Sequence, residues 1–240
     1  MEPGELVLDL GAGDGMLTRA LADAGARVLA VELDPAALAR LRARFAGDAR
    51  VEVRAADATT VPLPGEPFAV VANLPFAAGT TILRRLLDPR ASLSRLDAIV
   101  EWGLAAKRAA VWPSTRLACL WGAFHELSLA RRVPRACFVP PPSVDAALLR
   151  AVSRSEPLVP VGEAVAYDAL LGRAFAAQAP LERVLPRAVV RRAAHELGFD
   201  PRAHAWDLDP AQWAGLYAAL RPASSRRAGS ARARRPSSRR

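Results

Sequence analysis

A short apolar strand that runs directly into three closely spaced glycines constrains the fold of this chain more than any other feature. Leu6–Leu10 has the composition of a buried strand, and a helical pattern begins at Met16. Between them lie Gly11, Gly13 and Gly15. Such a strand–turn–helix unit lets backbone N–H groups approach a ligand closely. The dinucleotide fingerprint places its third glycine three positions after the second, so the closer spacing found here disfavours a nicotinamide cofactor.

Acidic residues follow the next two predicted strands. Arg27–Glu32 is the second strand, and its terminal acid comes about 20 residues after the glycines, where it can accept hydrogen bonds from a ribose. Glu32 could instead cap a helix, but Asp34, which directly precedes a proline, suits that role better. Val51–Arg54 is a third strand, and Asp57 after it is placed to bind an adenine amino group.

The fourth predicted strand ends in an amide, a proline and an aromatic ring. Ala69–Ala72 suits a central parallel strand that is covered on both faces. Because Pro75 cannot donate to a sheet ladder, the segment that begins at Asn73 must leave at the carboxyl edge, where open α/β sheets bind ligands. The Asn73 and Leu74 oxygens can hold the two hydrogens of an exocyclic amine while Phe76 stacks on an extruded base. The alternative is a purely structural strand exit with a core ring.

Strands alternate with helices through residue 152, which predicts an α/β doubly wound sheet. Residues 1–152 form this domain, residues 153–163 with prolines 157 and 160 are a linker, and residues 164–220 form a small helical domain. Besides the strands above, the predicted strands are Leu96–Trp102, His125–Arg132 and Ala146–Val152, and the predicted helices are Met16–Ala24, Pro35–Phe45, Thr80–Leu87, Ala164–Ala177, Arg187–Leu197 and Pro210–Leu220.

The positive charge is concentrated at the end of the chain. Of the formal net charge of +9, residues 221–240 contribute eight arginines and no acid, which leaves +1 for residues 1–220. The low apolar content of this tail predicts disorder, and disordered arginine-rich segments commonly bind polyanions. We therefore expect Arg226, Arg227, Arg234 and Arg235 to contact phosphates of a polyanionic partner. The alternative is a solvated tail with no role.

Composition also disfavours a membrane or metal protein. No uncharged apolar run reaches the roughly 18 residues that a membrane-spanning helix needs, and the start lacks a signal-peptide pattern. The two cysteines and three histidines have no metal-ligand spacing. We expect a soluble, cytoplasmic protein with neither a membrane partner nor a bound metal.

Four blocks of sequence together resemble the rRNA adenine N6-methyltransferases. They are Leu8–Thr18, Asn73–Phe76, Glu101–Arg108 and Phe138–Asp145, and the resemblance extends from about Glu5 to Leu220. It implies a Rossmann-like class I methyltransferase sheet with a small C-terminal helical domain and a disordered Arg-rich tail. It also implies S-adenosyl-L-methionine as the cofactor and rRNA as the partner.

Within this family the chain looks more like the erythromycin-resistance (Erm) enzymes, which methylate 23S rRNA and block macrolides, lincosamides and streptogramin B. Val100–Arg108 and Asp209–Trp213 carry this likeness. The small-subunit dimethyladenosine transferases usually have Tyr where this chain has Phe76, and a basic stretch that is missing around Ala174–Leu185. The resemblance thus implies an enzyme that acts on 23S rRNA, and we separately expect a monomer. A small-subunit enzyme, or a catalytically silent nucleic-acid-binding protein on the same fold, remains the alternative.

The resemblance also implies roles for individual residues. The expected cofactor contacts are Gly11, Ala12 and Gly13 for the methionine part, Glu32 and Leu33 for the ribose, Asp57 and Ala58 for the adenine, and Asn73. Asn73, Leu74 and Phe76 would hold the target base, Phe138 would be a second stacking ring, and Lys107 and Arg108 would contact RNA. For Phe138 the alternative is a core ring before a proline run.

The sequence departs from the family pattern in two places. Family members carry an upstream segment of the Gln-Asn-Phe-Leu type that lines the cofactor site, whereas this sequence begins a few residues before its first strand. We therefore expect that wall of the cofactor site to be absent from it. Ala72 also stands where a glycine often precedes the asparagine.

Overall fold

The computed structural model describes residues 2–109 and 114–221, which divide into two compact units. The first unit comprises residues 2–109 and 125–154, and the second comprises residues 114–124 and 155–221. Arg226, Arg227, Arg234 and Arg235, with the rest of the expected tail beyond Arg221, lie outside the described residues.

The first unit contains a seven-stranded sheet whose order is β3-β2-β1-β4-β5-β7-β6. The strands are β1 (Leu6–Leu10), β2 (Arg27–Glu32), β3 (Val51–Ala55), β4 (Phe68–Asn73), β5 (Leu93–Glu101), β6 (His125–Val133) and β7 (Ala146–Ser153). The first five strands are parallel, and β7 pairs antiparallel with both β5 and β6. The chain moves outward from β1 to β3 and returns to the other side of β1 at β4. The switch point of this doubly wound sheet therefore lies between β1 and β4.

Four helices of the first unit follow the parallel strands. They are α1 (Met16–Asp23), α2 (Pro35–Arg44), α3 (Gly79–Leu86) and α4 (Trp102–Ala109). Leu21 of α1 packs in a cluster with Val7 and Val28, and Leu41 of α2 packs in another with Ala30. These contacts bury the apolar strands β1 and β2, as their sequence pattern predicts. The sequence prediction of an α/β doubly wound sheet is confirmed.

The second unit is helical. It contains α5 (Arg116–Gly122), α6 (Ala164–Ala177), α7 (Leu181–Val184), α8 (Arg187–Leu197) and α9 (Pro210–Leu220). Trp213 and Tyr167 are fully buried in one apolar cluster, and Trp213 Nε1 donates to the Ala205 carbonyl at 3.0 Å. Asp209 and Gln212 form a reciprocal capping box at the start of α9. These contacts give the helices their own core.

The division of the chain differs from the linear one expected from the sequence. Residues 114–124 belong to the second unit because Cys119 and Phe124 are buried in its apolar cluster. Residues 155–163, expected to be part of a linker, pack there as well. Val159 is only 1% exposed, and Leu158 N donates to the Ala123 carbonyl at 2.8 Å. The linker was predicted from proline content alone. The segment in fact contributes to the core of the second unit.

Candidate active site

The glycine turn after β1 folds over the carboxyl end of β2. Gly11 N and Ala12 N both donate to the Val31 carbonyl, at 2.9 and 3.1 Å. Gly11, Gly13 and Gly15 have φ values of 76°, 54° and 77°, in the left-handed region that favours glycine. A Cβ on Gly13 would find nothing within 4 Å. The turn therefore has open space on the side to which Gly13 faces.

Glu32 at the end of β2 holds this turn in place. Its Oε2 accepts from Gly13 N at 2.7 Å, and its Oε1 accepts from the N–H groups of Leu33 and Asp34, each at 2.8 Å. Asp34 is the N-cap of α2 and accepts from Ala37 N at 2.7 Å. The helix-cap role thus belongs to Asp34, as the sequence favoured. Leu33 is 65% exposed beside the carboxylate.

Asp57 and Ala58 lie in the loop that follows β3, next to the end of β2. Ala56 N donates to the Glu32 carbonyl at 3.2 Å, which joins the two strand ends. Asp57 Oδ1 accepts from Thr59 N at 2.7 Å, and this hydrogen bond, with a smaller effect from the nearby Arg85, holds the pKa of Asp57 below its usual range. Asp57 therefore stays ionised.

Arg85, which the sequence analysis did not single out, fixes this loop from α3. Its Nη1 donates to the Ala58 carbonyl at 3.1 Å, and its Nη2 donates to the Val61 carbonyl. The helix that carries Arg85 begins just after the Asn73–Phe76 segment. An arginine at this position of a helix is ordinary, so the sequence pattern does not indicate that its guanidinium reaches the loop. Only the tertiary structure shows this contact.

The exit from β4 lies beside the glycine turn. A Cβ on Gly11 would stand 3.6 Å from Pro75 Cδ and 3.8 Å from the Asn73 carbonyl oxygen. Leu74 N donates to the Ile99 carbonyl at 3.0 Å and its side chain is buried, whereas the Asn73 side chain is exposed. In the described part of the chain no group donates to the Leu74 carbonyl or to the Asn73 side chain. Neither oxygen therefore has a protein donor among the described residues, and Asn73 is the exposed residue of the two, since Leu74 is only 1% exposed.

Two aromatic rings meet beside these oxygens. The ring of Phe76 contacts that of Phe138 edge-on, with centroids 6.3 Å apart and planes at 74°. Both rings are half-buried rather than core residues. Phe138 lies in the loop between β6 and β7, more than 60 residues from Phe76 in the chain. The contact brings together the two residues that the sequence proposed as stacking rings.

Lys107 and Arg108 lie in the last turn of α4. This helix follows β5, which is the neighbour of β4 in the sheet. Lys107 is exposed, whereas Arg108 is half-buried. Burial and the nearby Arg84 lower the pKa of Arg108 below its usual range. Of the two expected RNA contacts, Lys107 is thus the more accessible one.

Asp9, a charged residue inside β1, was not singled out from the sequence. It is 1% exposed, and Thr18 Oγ1 of α1 donates to its Oδ2 at 2.6 Å. An acid in an otherwise apolar strand just before the glycines is the sequence signal that could have found it. Burial raises the pKa of Asp9 to about 6, against the lowering effect of the Thr18 hydrogen bond.

The raised pKa of Asp9 predicts a pH dependence of stability. Because the pKa in the folded state exceeds that in the unfolded state, ionisation opposes folding, and stability falls as pH rises from about 4 to about 6. Asp9→Asn cannot ionise but can still accept from Thr18. Its free energy of unfolding relative to wild type should therefore rise by about 2 kcal/mol between roughly pH 4.5 and 7.5 in urea titrations. A pH-independent difference would contradict this.

The described residues contain neither a cluster of metal-ligating side chains nor a membrane-spanning helix. Among residues 2–109 and 114–221, no group of three or more His, Cys, Asp and Glu side chains could hold a metal ion. None of the described helices is both long and apolar enough to span a membrane.

Comparison with known proteins identifies the family of the chain. Residues 1–221 match the family described as ribosomal RNA adenine dimethylase. The chain belongs to this family. It is therefore an rRNA adenine methyltransferase that uses S-adenosylmethionine as its cofactor.

Individual relatives are similar over most of the chain. The mycinamicin-resistance protein MyrB of Micromonospora griseorubida is 37% identical over 92% of this chain and 71% of its own length. The structure of the 23S rRNA methyltransferase ErmE is 31% identical, covers 92% of both chains and superposes with a TM-score of 0.80. A small-subunit rRNA methyltransferase A of Synechococcus is 32% identical over 92% of this chain and 83% of its own length.

Proposed function

We propose that this rRNA adenine methyltransferase modifies N6 of an adenine in 23S rRNA and confers resistance to macrolides, lincosamides and streptogramin B. The observation that carries the proposal is the similarity to the 23S rRNA methyltransferase ErmE, which extends over 92% of both chains at a TM-score of 0.80. The mycinamicin-resistance protein MyrB, at 37% identity, supports the resistance part of the proposal.

The residues around the switch point fit the cofactor. The open space beside Gly13 leaves room for a ligand next to backbone N–H groups. Glu32 is a carboxylate that can accept from ribose hydroxyls, since its two oxygens offer about four acceptor positions and three are in use. Asp57 is suited to accept from an adenine amino group, and Leu33 and Ala58 would add apolar contacts to the cofactor. S-adenosylmethionine supplies an activated methyl group when bound.

The exit from β4 is suited to hold the target base. An exocyclic adenine amine is a poor nucleophile because its lone pair is delocalised into the ring. The Asn73 side-chain oxygen and the Leu74 carbonyl, both free of other donors among described residues, would accept its two hydrogens and orient the lone pair. Phe76 would stack on the extruded base, and Phe138, whose ring plane lies at 74° to that of Phe76, would contact the base through its ring edge.

Alignment for direct displacement is then the main task of the protein. When bound, the cofactor would supply its methyl group to N6 and keep the electron pair of the broken methyl–sulfur bond on sulfur, and N6 would release one proton to solvent water. Asn73 and Leu74 carry acceptor dipoles that point to the nitrogen where positive charge develops. No general base is required for the attack itself.

The experiment that tests the target compares both ribosomal subunits. The gene is expressed in a macrolide-sensitive bacterium that lacks its own small-subunit dimethyladenosine transferase, and both rRNAs are mapped by primer extension and mass spectrometry of digested fragments. We expect methylation of an exit-tunnel adenine of 23S rRNA together with macrolide resistance. Cells that express Asn73→Ala at equal protein level should show neither.

Two outcomes would contradict the proposal. Asn73-dependent methylation of small-subunit rRNA alone would identify the housekeeping enzyme. Methylation of neither RNA by a protein that still binds RNA would identify a silent nucleic-acid-binding protein. Two further expectations stay predictions: that Lys107 and the tail arginines contact RNA phosphates, and that the protein is a monomer.

A further inference from the structure

Phe138 lies in a long loop, and its position depends on what fixes that loop. Residues 134–145 connect β6 to β7, and the base of the loop is closed by pairing of Val133 with Ala146. The edge-on contact with Phe76 requires the Phe138 ring to stay in one place. The Asp145 side chain joins the base of the loop to the turn that precedes this ring, and Arg135 Nη1 of that turn adds a longer hydrogen bond to the Ser143 carbonyl at 3.4 Å.

One oxygen of Asp145 anchors the turn. Asp145 Oδ1 accepts from Arg135 N at 2.9 Å, at the first residue of the 3₁₀ turn Arg135–Cys137. Phe138 directly follows this turn, and its N–H donates to the Arg135 carbonyl at 3.2 Å. The path from the Asp145 carboxylate to the Phe138 backbone therefore consists of two hydrogen bonds and one tight turn.

The other oxygen of Asp145 is tied to the sheet. Its Oδ2 accepts from Arg132 Nε at 2.9 Å and from Arg132 Nη2 at 2.6 Å. The same guanidinium lies over the ring of Trp102, 5.1 Å from its centroid, and Trp102 N donates to the Asp145 carbonyl at 2.9 Å. The hydrogen bonds from Arg135 and Arg132 keep the pKa of Asp145 below its usual range, so the carboxylate stays ionised.

We propose that Asp145 is a positioning residue for the target base, because it holds the Phe138 loop so that this ring stays against Phe76. The proposal deepens the proposed function and rests on it. Asp145 itself does not contact substrate. It acts through the turn Arg135–Cys137, and its removal leaves Phe138 present but mobile relative to Phe76.

The chain offers a matched control for this carboxylate. Asp97 of β5 accepts from Arg150 Nε of β7 at 2.7 Å and forms a second ion pair with Arg95 at 3.1 Å. Asp97 therefore pairs with arginines of β5 and β7, and no ion pair or side-chain hydrogen bond joins it to the described loop of residues 134–145. Arg132 and Arg150 are both about half exposed or more, at 63% and 48%, so loss of either pair has a small effect on stability.

The first experiment is a double-mutant cycle between Asp145→Asn and Phe138→Leu, measured on kcat/KM for the RNA substrate. Asparagine keeps the shape of Asp145 but only one acceptor oxygen. Loss of a stacked ring should lower kcat/KM about 10- to 100-fold, and Asp145→Asn should lower it about tenfold. The double variant should stay within about twofold of Phe138→Leu, because a ring that is absent cannot be misplaced. Asp97→Asn should leave kcat/KM within about twofold of wild type.

Losses that multiply in the double variant would overturn the proposal, as would an equal loss in Asp97→Asn. A second measurement does not depend on activity. In protein labelled with 4-fluorophenylalanine, the ¹⁹F resonance that disappears in Phe138→Leu should move in Asp145→Asn toward the solvent-exposed value. It should not move in Asp97→Asn. An unmoved resonance in Asp145→Asn overturns the proposal, whereas a wild-type protein with the expected resonances that methylates neither rRNA overturns the proposed function.

Discussion

Asn73→Ala is expected to reduce kcat for rRNA methylation by about 100- to 1000-fold, the range found when one dipole aimed at a developing charge is removed. The Asn73 side chain is exposed, and no described residue hydrogen-bonds to it. Its loss therefore leaves β4 and its pairing with β5 intact. Single-turnover methylation of a 23S rRNA fragment measures the effect, and circular dichroism checks that the fold is retained.

Asn73→Asp is the control for this prediction. Aspartate keeps an acceptor oxygen at the same position, so we expect a smaller loss than with alanine. If the alanine variant methylated RNA within tenfold of wild type, the amide would not be holding the reacting amine. If both variants lost activity equally, the NH2 group or the neutrality of the amide, rather than its acceptor oxygen, would matter.

The second large effect distinguishes two glycines of one turn. A Cβ on Gly15 would lie 2.6 Å from both Leu41 Cδ1 and Phe45 Cε2, at a φ of 77°. Gly15→Ala should therefore lower the free energy of unfolding by about 2–5 kcal/mol, from backbone strain and overpacking together. A Cβ on Gly13 meets nothing within 4 Å, so Gly13→Ala should cost only about 1–2 kcal/mol.

For cofactor affinity we expect the larger effect from Gly13→Ala rather than from Gly15→Ala. The Cβ of Gly13→Ala would enter the open space that we propose for the methionine part, so S-adenosylmethionine should bind about tenfold more weakly. Urea denaturation and calorimetry measure the two quantities on the same protein samples. Wild-type cofactor affinity in folded Gly13→Ala would show that the ligand does not occupy this space.

Local patterns were enough to predict the sheet and most of the crevice. The apolar run of β1 followed by glycines, the terminal acid of β2 and the proline after β4 each mark a strand end. Because carboxyl ends of parallel strands share one edge, these signals also predicted which residues would lie together. The short contact between Gly13 N and Glu32 follows from that rule.

Local sequence patterns did not predict those boundaries and elements that depend on strand pairing or on packing between helices. β5 begins at Leu93 rather than at the expected Leu96 because Phe68 of β4 pairs with Leu93. The four-residue helix α7 is too short to show a helical period. The helix α5 has an apolar pattern that fits either unit, and only the burial of Cys119 and Phe124 with Tyr167 assigns it to the second.

The sequence by itself determined the kind of sheet, its ligand edge and the residue types at the Asn73–Phe76 exit, because strand periodicity and proline and glycine chemistry act over a few residues. Only the tertiary structure decided that Phe138 meets Phe76, that Arg85 holds the Asp57 loop and that Asp145 anchors the turn before Phe138. These contacts join residues that different elements bring together. Their geometry depends on strand register and loop path, which a one-dimensional pattern does not encode.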